Sequence, residues 1–318
     1  MNKFLQIFRK VDGVRVLKQY ARGHVLLYAL AVTPLLGFSR KGLEQVRMAV
    51  EKKMLARLRR QYAAQLKAFR KKHPASPVRE PSRIVWVCWF QGMDAAPEIV
   101  QRCYKRLREA LPDREIRLLT SENYRQWSGI PEQIIAKYEA GIIGQAHFAD
   151  LLRLDLLIRH GGTWIDATVL AAGRPAPDWM MDAPLFVFQM LKPGLDGHAV
   201  RMSNWFMSAT PGNVILRLTQ ALLYDYWAHH DKLIDYFIFH LFFELAIETY
   251  PEEWSHVVPA SPEAPHSLLL RLFEPYDQNV FEGILEQSPF HKLTYKFDEA
   301  DTALEGTNYR HLMESLLQ

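Results

Sequence analysis

His147, Asp150 and Arg153 follow one another at intervals of three in the segment HFADLLRLDLLIRHGGTWIDATVL, residues 147–170. At 3.6 residues per turn they share one helical face. Leu151, Leu152, Leu154, Leu156, Leu157 and Ile158 cover most of the remaining circumference, so the helix is expected to be largely buried. A buried charge without a partner costs several kcal/mol, so Asp150 and Arg153 must either pair with each other or bind a polar ligand. Gly161 and Gly162 then stop the helix in the left-handed geometry that glycine permits, and Thr163, Trp164 and Ile165 form a strand that delivers Asp166 at its carboxyl end. Ligands of open α/β sheets sit at that edge, where an acid can meet a metal diphosphate or sugar hydroxyls.

The elements that position these residues follow from local periodicity. Residues 83–89 (RIVWVCW) are a continuous apolar run of strand type, residues 97–110 carry helical periodicity, residues 115–120 (EIRLLT) read as a second short strand, and residues 133–140 as a helix. Strands alternating with helices predict an α/β fold around a parallel sheet. The proline-rich stretch HPASPVREP, residues 73–81, reads as a linker, which divides the chain into a basic amphipathic helical extension with its linker (1–80) and a main domain (81–318).

The 318 residues are 49% hydrophobic and 23% charged, a balance that excludes disordered, collagen-like and disulfide-scaffold classes. The net charge of +4 hides an asymmetry: residues 1–80 carry 19 Lys and Arg against four acids, leaving a body with 20 bases and 31 acids. Such a split predicts that the two parts meet different partners. After Gly42, residues 43–72 contain neither Gly nor Pro and repeat apolar residues every three or four positions, predicting one long helix over 42–72 with a basic outer face. That helix either packs on the body or rests, with residues 1–72, on an anionic membrane surface. The apolar stretch at residues 25–38 is 14 residues long and interrupted by Pro34, too short to span a bilayer. No aromatic residues interleave with the charges as a nucleic-acid platform requires, so no nucleic-acid partner is expected. Two cysteines, Cys88 and Cys103, point to a reducing compartment, and neither has metal-ligand spacing.

The segments RIVWVCWFQG (83–92), AHFADLLRLDLLIRHGGTWIDATV (146–169), SNWFMSA (203–209), DYFIFH (235–240) and SPFHKLTYK (288–296), in this order, resemble the capsular polysaccharide synthesis proteins. These are bacterial sugar transferases related to the DXD-type glycosyltransferases of family 32 and, more distantly, to the clostridial glucosylating toxins. The resemblance implies a GT-A (Rossmann-like, nucleotide-sugar-binding) fold and a retaining glycosyltransferase that uses a nucleotide-diphosphate sugar, a UDP-sugar above all. It also implies a growing cell-surface saccharide as acceptor, at the cytoplasmic face of the membrane.

Carried over by position, the resemblance makes Trp89 the aromatic that stacks on the donor base, Asp150 and Arg153 the helix pair at donor ribose and sugar, and Asp166 the first acid of the DXD element. Lys292 or Lys296 neutralises the diphosphate, with His291 and Asp166 as ligands for Mn²⁺ or Mg²⁺. Asn204, Asp235 and His240 fall on the acceptor side. One position departs from the pattern: Thr168 stands where the second acid should be, and a hydroxyl is a much weaker ligand for a hard divalent cation than a carboxylate. That departure leaves room for a second reading, a non-catalytic, membrane-tethered assembly protein that keeps a transferase-like body.

Overall fold

A computed structural model describes residues 13–190 and 200–316. Its centre is a five-stranded sheet in the order β2-β1-β3-β6-β5, built from β1 (Ile84–Cys88), β2 (Glu115–Leu119), β3 (Gly162–Ile165), β5 (Leu185–Gln189) and β6 (Met202–Ala209). β1 pairs in parallel with both β2 and β3, whereas β6 runs antiparallel to its neighbours β3 and β5. The sheet is therefore α/β but mixed, not the wholly parallel one expected from strand and helix alternation. The helix-alternation rule holds through β3. It fails after Asp166, where the chain reaches β5 and β6 without returning across the sheet on a long helix.

Side chains alternate across the sheet because strand periodicity is two. On β1, Val85 and Val87 face one core and Trp86 the other, and all three are fully buried. The core around Trp86 and Trp164 takes in helix Gln145–His160, helix Val214–His229 and helix Ile238–Thr249. The opposite core, around Val85, Val87 and Ile165, takes in helix Glu98–Ala110 and the C-terminal elements.

A second, two-stranded ladder pairs β4 (Val169–Ala171) antiparallel with β7 (Phe290–Lys292), in the register Val169↔Lys292, Leu170↔His291 and Ala171↔Phe290. This ladder carries residue 292 back to the end of β3, more than 120 positions away in sequence.

The basic segment lies against the body. Helix Arg40–Gln61 sinks Val46, Val50, Met54, Leu55 and Leu58 into the core that holds Trp86. Residues 42–72 are not one helix: Tyr62 leaves helical geometry at φ −96°, ψ 6°, and helix Ala63–Lys72 starts beyond it. The Tyr62 ring meets Phe242 edge-on at 5.2 Å, so packing fixes the break without help from Gly or Pro. Part of the charge asymmetry is settled within the molecule. Arg59 pairs with Glu248 at 2.7 Å, Arg70 with Glu252 at 3.1 Å, and Ser76 donates to Glu253. Residues 1–12 of the front segment lie outside the described residues.

Candidate functional site

Two glycines set the position of the central acid. Gly161 and Gly162 both have positive φ, +65° and +90°, and a Cβ on Gly162 would stand 2.2 Å from the carbonyl oxygen of Ile84. Only glycine allows the helix to turn directly into β3 at that separation. β3 then ends at Ile165, and Asp166 emerges with its amide donating to the Trp205 carbonyl on the neighbouring β6.

Three groups converge on the Asp166 carboxylate. Oδ1 accepts from Trp164 Nε1 at 3.0 Å and from Arg153 at 3.3 Å; Oδ2 accepts from Lys292 Nζ at 2.7 Å. Lys292 Nζ also donates to Thr168 Oγ1 at 2.7 Å. Burial pushes the Asp166 carboxyl up, but the charges and hydrogen bonds of Lys292 and Arg153 outweigh it and hold the group below the usual carboxylate range. Its side chain remains 28% exposed, so the acid is anchored from behind and open in front. A carboxylate offers about four lone-pair directions, and three are used, which leaves one for a ligand.

Behind it lies the helix triad. Arg153 donates to Asp150 Oδ1 at 2.6 Å, and Asn204 Nδ2 donates to the same oxygen at 2.8 Å. The Arg153 side chain is only 5% exposed, and its guanidinium lies over the Trp164 ring at 4.8 Å. Of the two alternatives, the structure shows the pairing: Arg153 bridges Asp150 and Asp166. Only 5% of its side chain is exposed, so we expect it to act by positioning the two acids. His147 Nδ1 stands 3.9 Å from Asp150 Oδ2, and burial lowers its pKa to about 4, so at neutral pH it is an uncharged neighbour.

Burial pushes Asp150 up to about 6, against the lowering pull of Arg153 and the hydrogen bond from Asn204. A folded-state value above the ordinary one means that the folded chain holds this proton more tightly than the unfolded chain. The resulting stabilisation is present below about pH 4 and is lost as pH rises through 6. We expect the ¹³C-carboxyl resonance of Asp150 to titrate with a midpoint near pH 6; a midpoint at or below 4 would contradict the burial assigned to it.

The remaining residues expected at the site divide. Trp89 is half-buried just past β1, its ring edge-on to Tyr295 at 5.2 Å and its buried Nε1 without an acceptor among the described residues. The Tyr295 contact brings the chain beyond β7 to the end of β1. Lys296 is exposed, with its ammonium 5.6 Å from the Tyr295 ring, at the rim. His291 requires correction. Alternation along β7 turns it away from Lys292, and it is fully buried with Nε2 3.4 Å from the Leu285 carbonyl. It does not join Asp166.

Asp235 also requires correction. It lies before helix Ile238–Thr249, not on it, and is buried, accepting from the Phe237 amide at 2.7 Å, with Glu51, Arg47 and Tyr20 as its ionisable neighbours. It belongs to the junction with the front helices. His240 packs edge-on against Phe237 and Phe239.

The neighbour of Asp235, Tyr236, reaches the site instead. It is exposed, meets the His147 ring at 5.2 Å, and is near enough to feel the charges of Asp150 and Asp166. Tyr236 and Tyr295 escaped the sequence reading because each depends on which face a loop presents. Cys88 and Cys103 are unbonded, and burial pushes both thiols up, so they act as small hydrophobes.

The donor set does not fit a divalent cation. Among the described residues no three His, Cys, Asp or Glu side chains are grouped to hold one. Asp166 is the single acid at the strand end among the described residues, and the Lys292 ammonium already lies 2.7 Å from its Oδ2. Unit charges about 4 Å apart near a protein surface interact by about 4 kcal/mol, and a divalent ion beside the ammonium would meet about twice that repulsion.

A family profile described as "Capsular polysaccharide synthesis protein" matches residues 38–312, a span that includes helix Arg40–Gln61 as well as both ladders. No curated protein matches the chain. Among solved structures, it is similar to PaToxG Glycosyltransferase with a TM-score of 0.37 and 12% sequence identity, over 84% of this chain and 97% of that one.

Proposed function

The chain belongs to the capsular polysaccharide synthesis protein family, and from that premise we propose that it is a retaining glycosyltransferase moving a sugar from a nucleotide-diphosphate donor to a cell-surface saccharide. The observation that carries this reading is Asp166: a carboxylate at the carboxyl end of a central strand, held ionised by two cations and open on one side. A carboxylate kept below its ordinary pKa is a poor proton acceptor and a strong hydrogen-bond acceptor. That suits it to fixing the hydroxyls of a donor sugar, and not to general-base work. Trp89, beside Tyr295, offers an aromatic face for the base, and Lys292 lies where a diphosphate alongside the sugar would run.

Among the described residues no second carboxylate faces Asp166 across an open gap, since Asp150 is tied to Arg153 and Asn204. This favours same-face displacement. The bond from the anomeric carbon to the phosphate oxygen breaks with its electron pair going to the phosphate. The acceptor hydroxyl bonds to the same face, and its proton passes to the departing phosphate. Incubating the full chain with a panel of nucleotide sugars and measuring released nucleotide tests the reading. Turnover of one or more, UDP-sugars first, is expected. No turnover and no binding across the panel would favour the non-catalytic assembly role.

We place the enzyme on the inner face of the membrane through its front helices. No helix among the described residues is long and apolar enough to cross a bilayer. Helix Leu26–Leu36 nevertheless leaves Leu27 and Leu35 each 83% exposed, with Leu30 and Phe38 also outward. Beside this segment a hollow of about 430 Å³ is lined by Arg22, His24, Arg57, His229, His230 and Lys232, among others. Exposed apolar side chains near the cations Arg22, Arg57 and Lys232 are an arrangement suited to an anionic interface. Truncation would remove core residues, so point changes are the cleaner test. Full-length protein should sediment with phosphatidylserine-containing vesicles, less so at high salt, and Leu27→Asp with Leu35→Asp should cut the bound fraction by at least about tenfold, since each buried leucine contributes roughly 1.5–3 kcal/mol. Equal sedimentation of both proteins would rule out this face.

A further inference from the structure

We propose that the Lys292 ammonium takes the place of a divalent cation at the donor site, so that donor binding and transfer proceed without metal; this rests on reading the Asp166 group as the donor site. Three observations converge. Position 168, two residues after Asp166, carries a hydroxyl where the family resemblance implies a metal-binding acid. Lys292 Nζ bridges these two positions, at 2.7 Å from Asp166 Oδ2 and 2.7 Å from Thr168 Oγ1, which is where a cation shared by two acids two residues apart would sit. The ammonium is also held by structure and not by chance reach. Lys292 lies directly opposite Val169 in the β4–β7 ladder, and the next amide, Leu293, donates to the Thr168 carbonyl at 3.0 Å.

The substitution is consistent in charge as well as place. Asp150, Asp166, Arg153 and Lys292 sum to zero, and the neutral Thr168 lets one monovalent cation balance Asp166. An acid at 168 would call for a second positive charge, which a divalent ion supplies. An ammonium has three N–H donors, and Lys292 spends two on protein oxygens. The third is left for a phosphate oxygen. When the anomeric carbon–oxygen bond breaks and its electron pair moves onto the phosphate, that fixed positive charge stabilises the charge as it grows.

Two measurements test this. In the first, sugar transfer or donor hydrolysis by the full chain is followed with Mn²⁺ and with excess EDTA, and rates within about twofold of each other are expected. A loss of tenfold or more in EDTA, restored by Mn²⁺, would overturn the proposal while leaving the transferase reading intact. In the second, which needs no donor, Mn²⁺ alone is titrated by electron paramagnetic resonance into the wild-type chain and into the double variant Lys292→Ala, Thr168→Asp. Little binding to the wild type and clear one-site binding to the double variant, at least tenfold tighter, are expected. One-site Mn²⁺ binding to the wild type that persists in Lys292→Ala and vanishes in Asp166→Asn would show a metal coexisting with the ammonium and sink the idea. If no nucleotide sugar binds in the first measurement, the donor reading fails, and the Mn²⁺ titration still decides whether Lys292 fills the cation's place. Lys292→Met, which keeps the stem that packs along β7, controls for loss of the fold.

Discussion

Asp166→Asn is expected to lower kcat for sugar transfer by about 10²–10³-fold, the loss seen when one preorganised electrostatic partner of a transition state is removed, with a smaller change in KM. The amide keeps the shape but not the charge. Lys292 loses the anion that aims it, and the sugar hydroxyls lose an ionised acceptor for a neutral one. The melting temperature should change little, because the variant removes a partly exposed charge and leaves the Trp164 and Arg153 hydrogen bonds an oxygen to reach. Steady-state kinetics on the folded variant decides the matter, and a kcat within threefold of wild type would remove Asp166 from the chemistry.

Arg153→Ala should act on stability before it acts on rate. Removing the guanidinium, itself only 5% exposed, strands two partly buried carboxylates, Asp150 and Asp166, and breaking one partner out of a buried ion cluster costs about 3–5 kcal/mol. In urea unfolding the midpoint should fall accordingly with little change in the slope. A second change, Asp150→Asn, should return part of the loss, because it removes the charge that Arg153 was balancing. If Arg153→Ala costs less than about 1 kcal/mol, the two acids do not depend on it, and the positioning role assigned here is wrong.

How far the sequence disclosed this arrangement depended on how local each feature is. The turn from helix Gln145–His160 through Gly161 and Gly162 to Asp166 is encoded within two dozen residues, and the sequence reading of it matches the structure. The pairing of Asp150 with Arg153 was one of two open alternatives, because spacing places both on a face without saying what else reaches it. Lys292 was legible as a basic residue in a late loop but not as the partner of Asp166 and Thr168. That depends on the β4–β7 register, which two three-residue strands far apart in sequence do not announce. His291 and Asp235 were misplaced because a motif does not fix where a side chain points: one strand step turns His291 to the opposite face, and Asp235, ahead of helix Ile238–Thr249, meets Arg47 and Glu51 of the front helices.

The direction of β6 was likewise hidden, since an apolar run shows that a strand is buried but not which way it runs. Charge counting found the basic front but not the acids of the body, Glu248, Glu252 and Glu253, that meet part of it.

Where a nucleoside diphosphate binds decides whether Asp166 and Lys292 form a donor site. A crystal structure of the full chain with UDP is the most direct test: the base should lie against Trp89 and the β-phosphate within hydrogen-bonding distance of Lys292 Nζ, next to Asp166. A nucleotide bound elsewhere, with Asp166, Thr168 and Lys292 holding only one another, would contradict it.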